Sequence, residues 1–322
     1  MAGMQSKFVW MNGELVEYQK ATVHFLTPAL HYGMGVFEGI RSYATERGPA
    51  IFRLREHLER LVVSAAILGF RKFPYTVQQL ADAVKLTVRS NGFAECYIRP
   101  LIFLSGGGWN LNIDGGEPQV GIAVWEWKNY LGEEALDRGV RANISSFTRH
   151  HPNVMMTKAK ISGNYANSFL AKTESTRLGF DESILLDPQG YVAECTGENV
   201  FIVRRGTLIT PGLAPVLDGI TRNSVISLAE DRGYEVREAA ISRDQLYSAD
   251  EVFVCGTAAE CIALREIDFR VIGDGKMGPV TRTLQNDFQQ AVRGKHARSA
   301  AWLEYVEEPA RISLRKTGSS SR

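Results

Sequence analysis

A short stretch at residues 157–165, TKAKISGNY, combines residue types that could perform chemistry on a carbonyl group. It contains Lys158 and Lys160, a Gly-Asn pair and the phenol of Tyr165. A lysine amine becomes a nucleophile toward carbonyls when its surroundings favour the neutral amine. The plainer alternative is two surface lysines that precede a helix, because lysine side chains are mostly solvated. The lysines alone therefore do not define a site.

Three motifs downstream supply groups that a reactive lysine could use. The segment 191–199, YVAECTGEN, contains Glu194, and the segments 219–222, GITR, and 256–260, GTAAE, have the composition of turns. The first of these turns precedes a predicted helix, where unpaired N–H groups and the helix dipole favour an anion. A lysine, an acid and two Gly/Thr turns suit a cofactor that forms a Schiff base and carries a ring nitrogen and a phosphate.

Two predicted helices in the first half of the chain have clear local signals. Residues 54–68 carry apolar side chains on one stripe at helical period, which predicts an amphipathic helix. Arg60 lies about 120° from the centre of that stripe, so it could pair with Glu56 one turn earlier. The next helix opens with a capping box formed by Thr76 and Gln79.

Apolar runs and turns predict a mixed α/β organisation. The segments 96–104, 121–125 and 252–254 have the composition of buried strands, and 163–178 and 221–232 that of helices. A chain of 322 residues is long enough for two domains of ordinary size. The motif GDGKMG at 273–278 matches G-x-G-x-x-G, but a proline follows and no acid lies about twenty residues on. We therefore expect a hairpin turn there, without a dinucleotide.

Composition excludes several classes of function. The formal net charge of +1 gives no reason to expect a nucleic-acid or membrane partner. No apolar leader or bilayer-length run is present, so a cytoplasmic protein is the default expectation. The four cysteines and six histidines show no metal-ligand spacing, and we expect no metal.

Taken together, these motifs resemble the branched-chain aminotransferases, the L-selective members of the fold-type IV pyridoxal-phosphate enzymes. The resemblance runs from about Phe8 to Tyr305. Besides the motifs named above, it rests on segments that occur in the order of the family: HYG at 31–33, VFEGIR at 36–41, REHLER at 55–60 and YIRPL at 97–101.

The resemblance implies an α/β fold of the α+β type with fold-type IV architecture. It predicts a small α/β domain over residues 1–127, a linker at 128–137 and a large domain at 138–308 with a barrel-like β core that binds pyridoxal 5′-phosphate. Residues 309–322 are expected to form a disordered tail. The resemblance further implies a homodimer or higher homo-oligomer.

The resemblance also assigns roles to site residues. Lys160 would be the Schiff-base lysine and would then move a proton. Lys158 stays possible, because two residues that are two positions apart on a strand point the same way. The match to Lys-x-x-Gly-Asn-Tyr favours Lys160. Glu194 would face the ring nitrogen. The full set of implied cofactor contacts is Arg60, Lys160, Tyr165, Glu194, Leu217, Ile220, Thr221 and Thr257. The implied substrate contacts are Tyr32, Phe37, Tyr97, Arg99, Trp127, Tyr130, Thr257 and Ala258.

The implied activity is transamination of L-leucine, L-isoleucine and L-valine with 2-oxoglutarate, giving branched 2-oxo acids and L-glutamate. Other activities of the same fold stay open: a D-amino-acid transaminase, an R-selective amine transaminase or an aminodeoxychorismate lyase. A non-catalytic binding protein is a further alternative, which the presence of Lys160 disfavours. The chain departs from the family at Trp109, where a smaller residue is usual, so the size of acceptor is open.

Overall fold

The computed structural model describes residues 6–70, 73–107, 109–127, 131 and 133–307. The first part of the described chain forms a sheet and the helices that cover it. In chain order these elements are β1 (Phe8–Met11), β2 (Glu14–Glu17), α1 (Pro28–Tyr32), β3 (Gly35–Phe37), β4 (Ile40–Thr45), β5 (Gly48–Phe52), α2 (Leu54–Leu68), α3 (Val77–Asn91), β6 (Cys96–Gly106) and β7 (Glu117–Trp125).

The second part of the described chain contains a larger sheet. Its elements are α4 (Glu133–Arg138), β8 (Val140–Thr148), α5 (Tyr165–Arg177), β9 (Glu182–Leu186), β10 (Val192–Cys195), β11 (Asn199–Arg204), β12 (Thr207–Thr210), α6 (Ile220–Asp231), β13 (Val236–Glu238), α7 (Arg243–Tyr247), β14 (Glu251–Gly256), β15 (Glu260–Ile267), β16 (Arg270–Val271), α8 (Pro279–Val292), α9 (Ser299–Trp302) and β17 (Leu303–Tyr305).

The two helices predicted from local signals form as expected. The stripe of α2 is buried at Leu58 and Leu61, and the helix ends at Gly69, whose φ of +97° suits a residue without Cβ. The capping box of α3 is complete: Gln79 N donates to Thr76 Oγ1, and Thr76 N donates to Gln79 Oε1. These helices pack their apolar faces on the first sheet.

The described strands of the first sheet pair antiparallel and run in the order β17-β5-β4-β6-β7-β1-β2, with β3 paired beside β6. The long strands β6 and β7 pair from Tyr97 opposite Trp125 to Gly106 opposite Glu117. The last strand, β17, returns from the far end of the chain to pair with β5. The first sheet therefore contains strands from both the beginning and the end of the described chain.

The second sheet closes into a six-stranded barrel. Its ring is β8-β9-β10-β11-β14-β15, and β15 pairs again with β8, while β12, β13 and β16 extend it. A closed sheet leaves no open edge within the ring and encloses an apolar core. Val200, Val254 and Ile262 belong to that core. The expected barrel-like β core is confirmed.

The lysine-containing stretch crosses from the barrel to the edge of the first sheet. Phe37 N donates to Lys160 O at 3.0 Å, and Val36 pairs with Ile161 as an isolated antiparallel bridge. The approach is close at Gly33, where a Cβ would lie 2.7 Å from the Cα of Gly163. Glycine is required at such a contact, and the backbone of Lys160 is thereby fixed where the two sheets meet.

A third apolar cluster packs between the two sheets. Phe52 of the first sheet contacts Phe288 and Trp302 edge to face, and Phe201 and Phe253 of the barrel stack within the same cluster. Burial of each such aromatic side chain stabilises the fold by about 1.5–3 kcal/mol. The continuous core holds the barrel against the first sheet, and any site between them is built on packed elements.

The glycine motif at 273–278 differs from the prediction. Gly278 is the N-cap of α8, and Pro279 occupies the first turn of that helix. The expected hairpin turn is wrong, because proline at the first helical position favours a helix start and the motif leads into α8.

Candidate active site

A cavity of about 550 Å³ lies where the first sheet and the barrel meet. Eight of the predicted site residues line it together: Phe37, Tyr97, Arg99, Trp127, Lys160, Tyr165, Thr257 and Ala258. They come from strands β3 and β6, the end of β7, the lysine stretch, α5 and the turn between β14 and β15. Residues scattered over more than 200 positions of sequence thus converge on one space.

The two lysines of the stretch point to different places. Lys160 Nζ donates to Tyr165 Oη at 2.7 Å and lies 5.2 Å from the ring centre of Phe37. Lys158 Nζ donates to the carbonyl of Val216 at 2.9 Å, outside the cavity. Geometry therefore favours Lys160 as the amine that a bound carbonyl compound would meet.

Glu194 is a buried acid inside β10. Its Oε1 lies 2.6 Å from Arg149 Nη2, and its Oε2 accepts a hydrogen bond from Leu217 N at 3.1 Å. Asn199 links the same region, because its side-chain amide donates to the carbonyl of Leu217. Oε1 receives no well-aligned hydrogen bond within the described part of the chain. A buried carboxylate held in this way can accept from a bound N–H group.

Arg60 is held by a buried acid on a neighbouring element. Its Nε and Nη2 donate to Glu38 Oε1 and Oε2 at 2.7 and 2.9 Å, and its Nη1 donates to the carbonyl of Asp218 at 2.6 Å. His57 Nδ1 lies 2.7 Å from Glu38 Oε2. Although burial raises the pKa of Glu38, Arg60 and His57 together hold that pKa well below its usual range. Glu56, the alternative partner, accepts from Arg53 instead.

The start of α6 is free to face an anion. Gly219 is its N-cap and offers no side-chain hydrogen bond, while Ile220 and Thr221 are buried in the first turn. A Cβ at Gly219 would lie 1.9 Å from Asn199 Oδ1, so the backbone there passes close to its neighbour. N–H groups at a helix start favour an anion, and Arg60, which donates to the carbonyl of Asp218, could bind the same anion.

Arg99 is the cation of the aromatic wall. Its guanidinium lies 4.5 Å from the ring centre of Phe37, and its Nη2 donates to Tyr97 Oη at 3.3 Å. Its buried Nε has no hydrogen-bond partner within the described residues. Tyr97 Oη in turn occupies the space over Gly39, where a Cβ would lie 1.9 Å away. The wall combines apolar surface with a donor suited to a carboxylate.

Comparison with known proteins places this arrangement in a family. Residues 35–267 match the family described as Amino-transferase class IV. The chain belongs to the class IV aminotransferases.

Named relatives agree with that family over nearly the whole chain. The branched-chain-amino-acid aminotransferase of Pseudomonas aeruginosa is 47% identical over 299 residues, which cover 93% of this chain and 97% of that protein. The crystal structure of the T.th. branched-chain amino acid aminotransferase with pyridoxamine 5′-phosphate superposes with a TM-score of 0.91 at 47% identity, covering 94% of this chain and 100% of that one. The same enzyme complexed with N-(5′-phosphopyridoxyl)-L-glutamate gives a TM-score of 0.90 at 45% identity, again covering 94% and 100%.

The structure of this class IV aminotransferase places the other predicted residues that it describes outside the cavity. Arg60 and Ile220 line a neighbouring cleft, Thr221 follows Ile220 in α6, and Leu217 lies against Glu194. Tyr32 is 44% exposed at the end of α1, where its ring packs edge to face on Trp109. Tyr130 lies outside the described residues, as do 128, 129 and the predicted tail at 309–322.

Sequence reasoning missed one wall of the cavity in this aminotransferase. The helix α5 lines the cavity with Tyr165, Ser168, Phe169 and Lys172, which share one helical face. The period of that face could have been found from the spacing, because positions i, i+3, i+4 and i+7 lie side by side. Only Tyr165 was predicted, since the other three belong to no motif.

A second buried acid also lines the cavity of this aminotransferase and was not predicted. Glu198 follows the turn of Thr196 and Gly197, and its Oε2 accepts from Gly197 N at 3.1 Å. The fully buried Glu182 lies nearby and pairs with Lys172 Nζ at 2.5 Å. Burial, and next the charge of Glu182, raise the pKa of Glu198 to about 8.

Neither a metal site nor a membrane-spanning helix is found among the described residues. No group of three or more histidine, cysteine or acidic side chains there could hold a metal ion. No helix there has the length and apolar character that a membrane span needs. The four cysteines are buried thiols, and burial raises the pKa of Cys96 to about 12.

Proposed function

We propose that this class IV aminotransferase uses pyridoxal 5′-phosphate to transfer the amino group of L-leucine, L-isoleucine or L-valine to 2-oxoglutarate. The observation that carries the proposal is the position of Lys160 Nζ, 2.7 Å from Tyr165 Oη in a cavity with aromatic walls. The names of the relatives support the same reaction. The cytoplasmic location stays a prediction.

The residues present fit the cofactor. Lys160 would hold it covalently, Glu194 offers a buried carboxylate oxygen for the ring nitrogen, and the uncapped start of α6 offers N–H groups to the phosphate. Arg60 and Thr257 would complete the phosphate contacts, and Tyr165 the contact to the ring hydroxyl. When bound, the cofactor supplies an electron sink that stabilises negative charge at the substrate α-carbon.

The side chains around the cavity then divide the work. The amine of Lys160 would move a proton from the substrate α-carbon, with Tyr165 Oη keeping that amine in place. Thr257 and Ala258 follow a buried strand and line the cavity, where their backbone N–H groups would bind the α-carboxylate together with Tyr97. The aromatic walls exclude water from the reacting atoms.

The pocket for the side chain is proposed to be apolar with one polar handle. Phe37, Tyr97 and Trp127 offer the walls, and Tyr130 is predicted to join them. Such a pocket separates substrates that differ by a methylene by only about 1–3 kcal/mol, so leucine, isoleucine and valine should all react. The γ-carboxylate of glutamate needs a partner in the same space, and Arg99 is the candidate.

The protein is proposed to act as a dimer of two-domain chains. Phe25, Leu30, Tyr32 and Trp109 are large exposed hydrophobic or aromatic side chains at one end of the first sheet. His31 connects them, since its ring lies 5.5 Å from Phe25 and 5.0 Å from Trp109. We propose that this patch packs on a second copy and that Tyr32 and Trp109 complete its cavity. Within each chain, residues 128–137 would link the small domain to the large one.

The reaction is tested with a panel of amino donors and 2-oxoglutarate. The three branched L-amino acids should be the best donors, and D-amino acids and simple amines should be poor. A preference for D-alanine or 1-phenylethylamine would overturn the proposal.

The dimer is tested separately by measuring activity and sedimentation while the enzyme is diluted. Activity should fall as the dimer dissociates, and a Trp109→Ser variant should dissociate at higher concentration than wild type. A fully active monomer would rule out the shared site.

A further inference from the structure

Glu260 adopts a backbone conformation that its residue type does not favour. Its φ is +60°, in the left-handed region where glycine is at ease and a side chain is strained. Gly256 and Glu260 are paired across β14 and β15, so residues 257–259 form the loop that Glu260 closes. Glycine usually closes such a three-residue loop. The strained glutamate therefore directly follows the turn that brings Thr257 and Ala258 into the cavity.

The carboxylate of Glu260 explains why the strain persists. It is buried, and its Oε1 accepts from Arg41 Nη1 and from Tyr43 Oη, both at 2.9 Å. Its Oε2 accepts from Gln289 Nε2 at 2.5 Å. A residue held in an unfavourable conformation persists only when surrounding contacts determine it, and such residues concentrate at functional sites. We call Arg41, Tyr43, Glu260 and Gln289 the Glu260 cluster.

The Glu260 cluster joins the two sheets directly behind the cavity. Arg41 and Tyr43 belong to β4 of the first sheet, Glu260 opens β15 of the barrel, and Gln289 lies in α8. Both carboxylate oxygens of Glu260 therefore receive donors from elements other than its own hairpin. Burial, and next the charge of Glu260, raise the pKa of Tyr43, so its phenol stays protonated and donates.

Arg41 connects the cluster to the other half of the proposed carboxylate site. Its Cα partner across the sheet is Tyr97, which lines the cavity with Gly39. Because there is no Cβ at Gly39, the hydroxyl of Tyr97 can sit over that backbone. Tyr97 therefore lies on the strand β6, opposite Arg41 of β4. Thr257 and Ala258 lie in the loop that Glu260 closes.

We propose that Glu260 is a positioning residue, whose pairing with Arg41 sets the separation between Tyr97 and the Thr257–Ala258 turn and so the affinity for the α-carboxylate of both substrates. This rests on the proposed function only in taking those groups as the carboxylate site. A buried charge pair is a weak source of stability but fixes a single geometry, which is what a site divided between two sheets requires.

The test is Glu260→Gln in the holoenzyme, compared with Glu251→Gln. Glu251 is a matched control: it is a buried glutamate at the other end of β14, where it binds Val280 N and Thr281 N of α8 away from the cavity. Glu260→Gln should raise KM for L-leucine and 2-oxoglutarate about tenfold each while kcat changes less than about threefold. Binding of 4-methylvalerate, an unreactive carboxylate, should weaken about tenfold in calorimetry, and cofactor absorbance should not change.

Glu251→Gln should lower the melting temperature and leave KM and 4-methylvalerate affinity as in wild type. The same result for Glu260→Gln would overturn the proposal and make Glu260 purely structural. If the single variant does not fold, Arg41→Gln/Glu260→Gln leaves no unpaired buried charge, and an unchanged KM in that double variant would equally overturn it. A wild-type enzyme without transaminase activity would instead overturn the proposed function.

Discussion

The cavity of Lys160 and the cleft beside Lys158 each take a lysine from the same stretch of chain, yet they differ in how their charges are balanced. The cleft, of about 390 Å³, is lined by three cations, Arg53, Arg60 and Lys158, and three anions, Glu56, Glu59 and Asp218. Arg53 binds Glu56, and Lys158 donates to a backbone carbonyl. The cavity holds Lys160 beside the hydroxyl of Tyr165 and contains Glu198, whose pKa is raised to about 8.

The difference in charge pairing indicates different roles for the two sites: the cleft suits binding of a fixed anion, and the cavity suits the reaction. Glu38 and the backbone carbonyl of Asp218 hold Arg60 in a fixed orientation beside the cleft, which suits an anion that must stay in place. In the cavity, Lys160 donates to the hydroxyl of Tyr165 and Glu198 has a raised pKa, which suits proton transfer and the binding of changing substrates. Burial lowers the pKa of Lys158, which favours a neutral amine. That amine nevertheless lies at the cleft, outside the cavity.

The strongest test of this contrast replaces each lysine in turn. Lys160→Ala should reduce turnover by at least about 1000-fold, because it removes the amine that we propose holds the cofactor and moves the proton. Lys158→Ala should keep turnover within about threefold, since Lys158 Nζ donates to the Val216 carbonyl and lines the cleft instead of the cavity. Steady-state rates and borohydride labelling followed by peptide mapping measure both. Normal turnover in Lys160→Ala with loss in Lys158→Ala would reverse the assignment.

Glu194→Gln tests the buried acid of β10 and should have the next largest effect. The amide keeps the size of the side chain but loses the charge beside Arg149 and Leu217 N. Loss of a preorganised electrostatic group slows chemistry by about 100- to 1000-fold. The measurement is the rate of a single turnover with L-leucine, with Glu266→Gln, a partner of Arg141, as a control. An unchanged single-turnover rate would show that Glu194 does not act on the cofactor ring.

These two predictions concern residues that sequence motifs identified. Other parts of the molecule could not be predicted from motifs. The helices at 54–68 and after Thr76 were predicted because their signals are local. The partner of Arg60 was not, because Glu38 lies 22 residues away and on another element. The strained φ of Glu260 could not be predicted either, since a glutamate has no local preference for that conformation.

Arg60→Ala tests the cleft, where Arg60 is proposed to bind the cofactor phosphate. Charge-assisted hydrogen bonds contribute about 1.5–3 kcal/mol, so cofactor affinity should fall roughly 10- to 100-fold while turnover at saturating cofactor changes less. Cofactor retained after dialysis measures the effect. Because Arg60→Ala also leaves Glu38 buried beside only His57, the double variant Glu38→Gln/Arg60→Ala separates lost affinity from lost stability. Full retention of cofactor in both variants would contradict a phosphate contact.

The smallest effect is expected from Glu198→Gln, and it concerns stability against pH. In the folded state the pKa of Glu198 is about 8, whereas its ordinary value is 4.5. Above the ordinary value the unfolded chain ionises at this position while the folded protein keeps its proton. Wild-type stability is therefore fully present below that value and is lost as pH rises toward 8. Glutamine cannot ionise, so the variant should gain about 1–3 kcal/mol over wild type near pH 8 and much less near pH 5.

Thermal midpoints of wild type and Glu198→Gln near both pH values measure the gain. Glu56→Gln is the matched control from the cleft, because Glu56 is paired with Arg53 and should show no gain that grows with pH. The same difference between Glu198→Gln and wild type at both pH values would mean that Glu198 is ionised in the folded protein. In that case the charge of Glu198 would be as well balanced by its surroundings as the charges of the cleft. The proposed contrast between the cavity and the cleft would then be wrong.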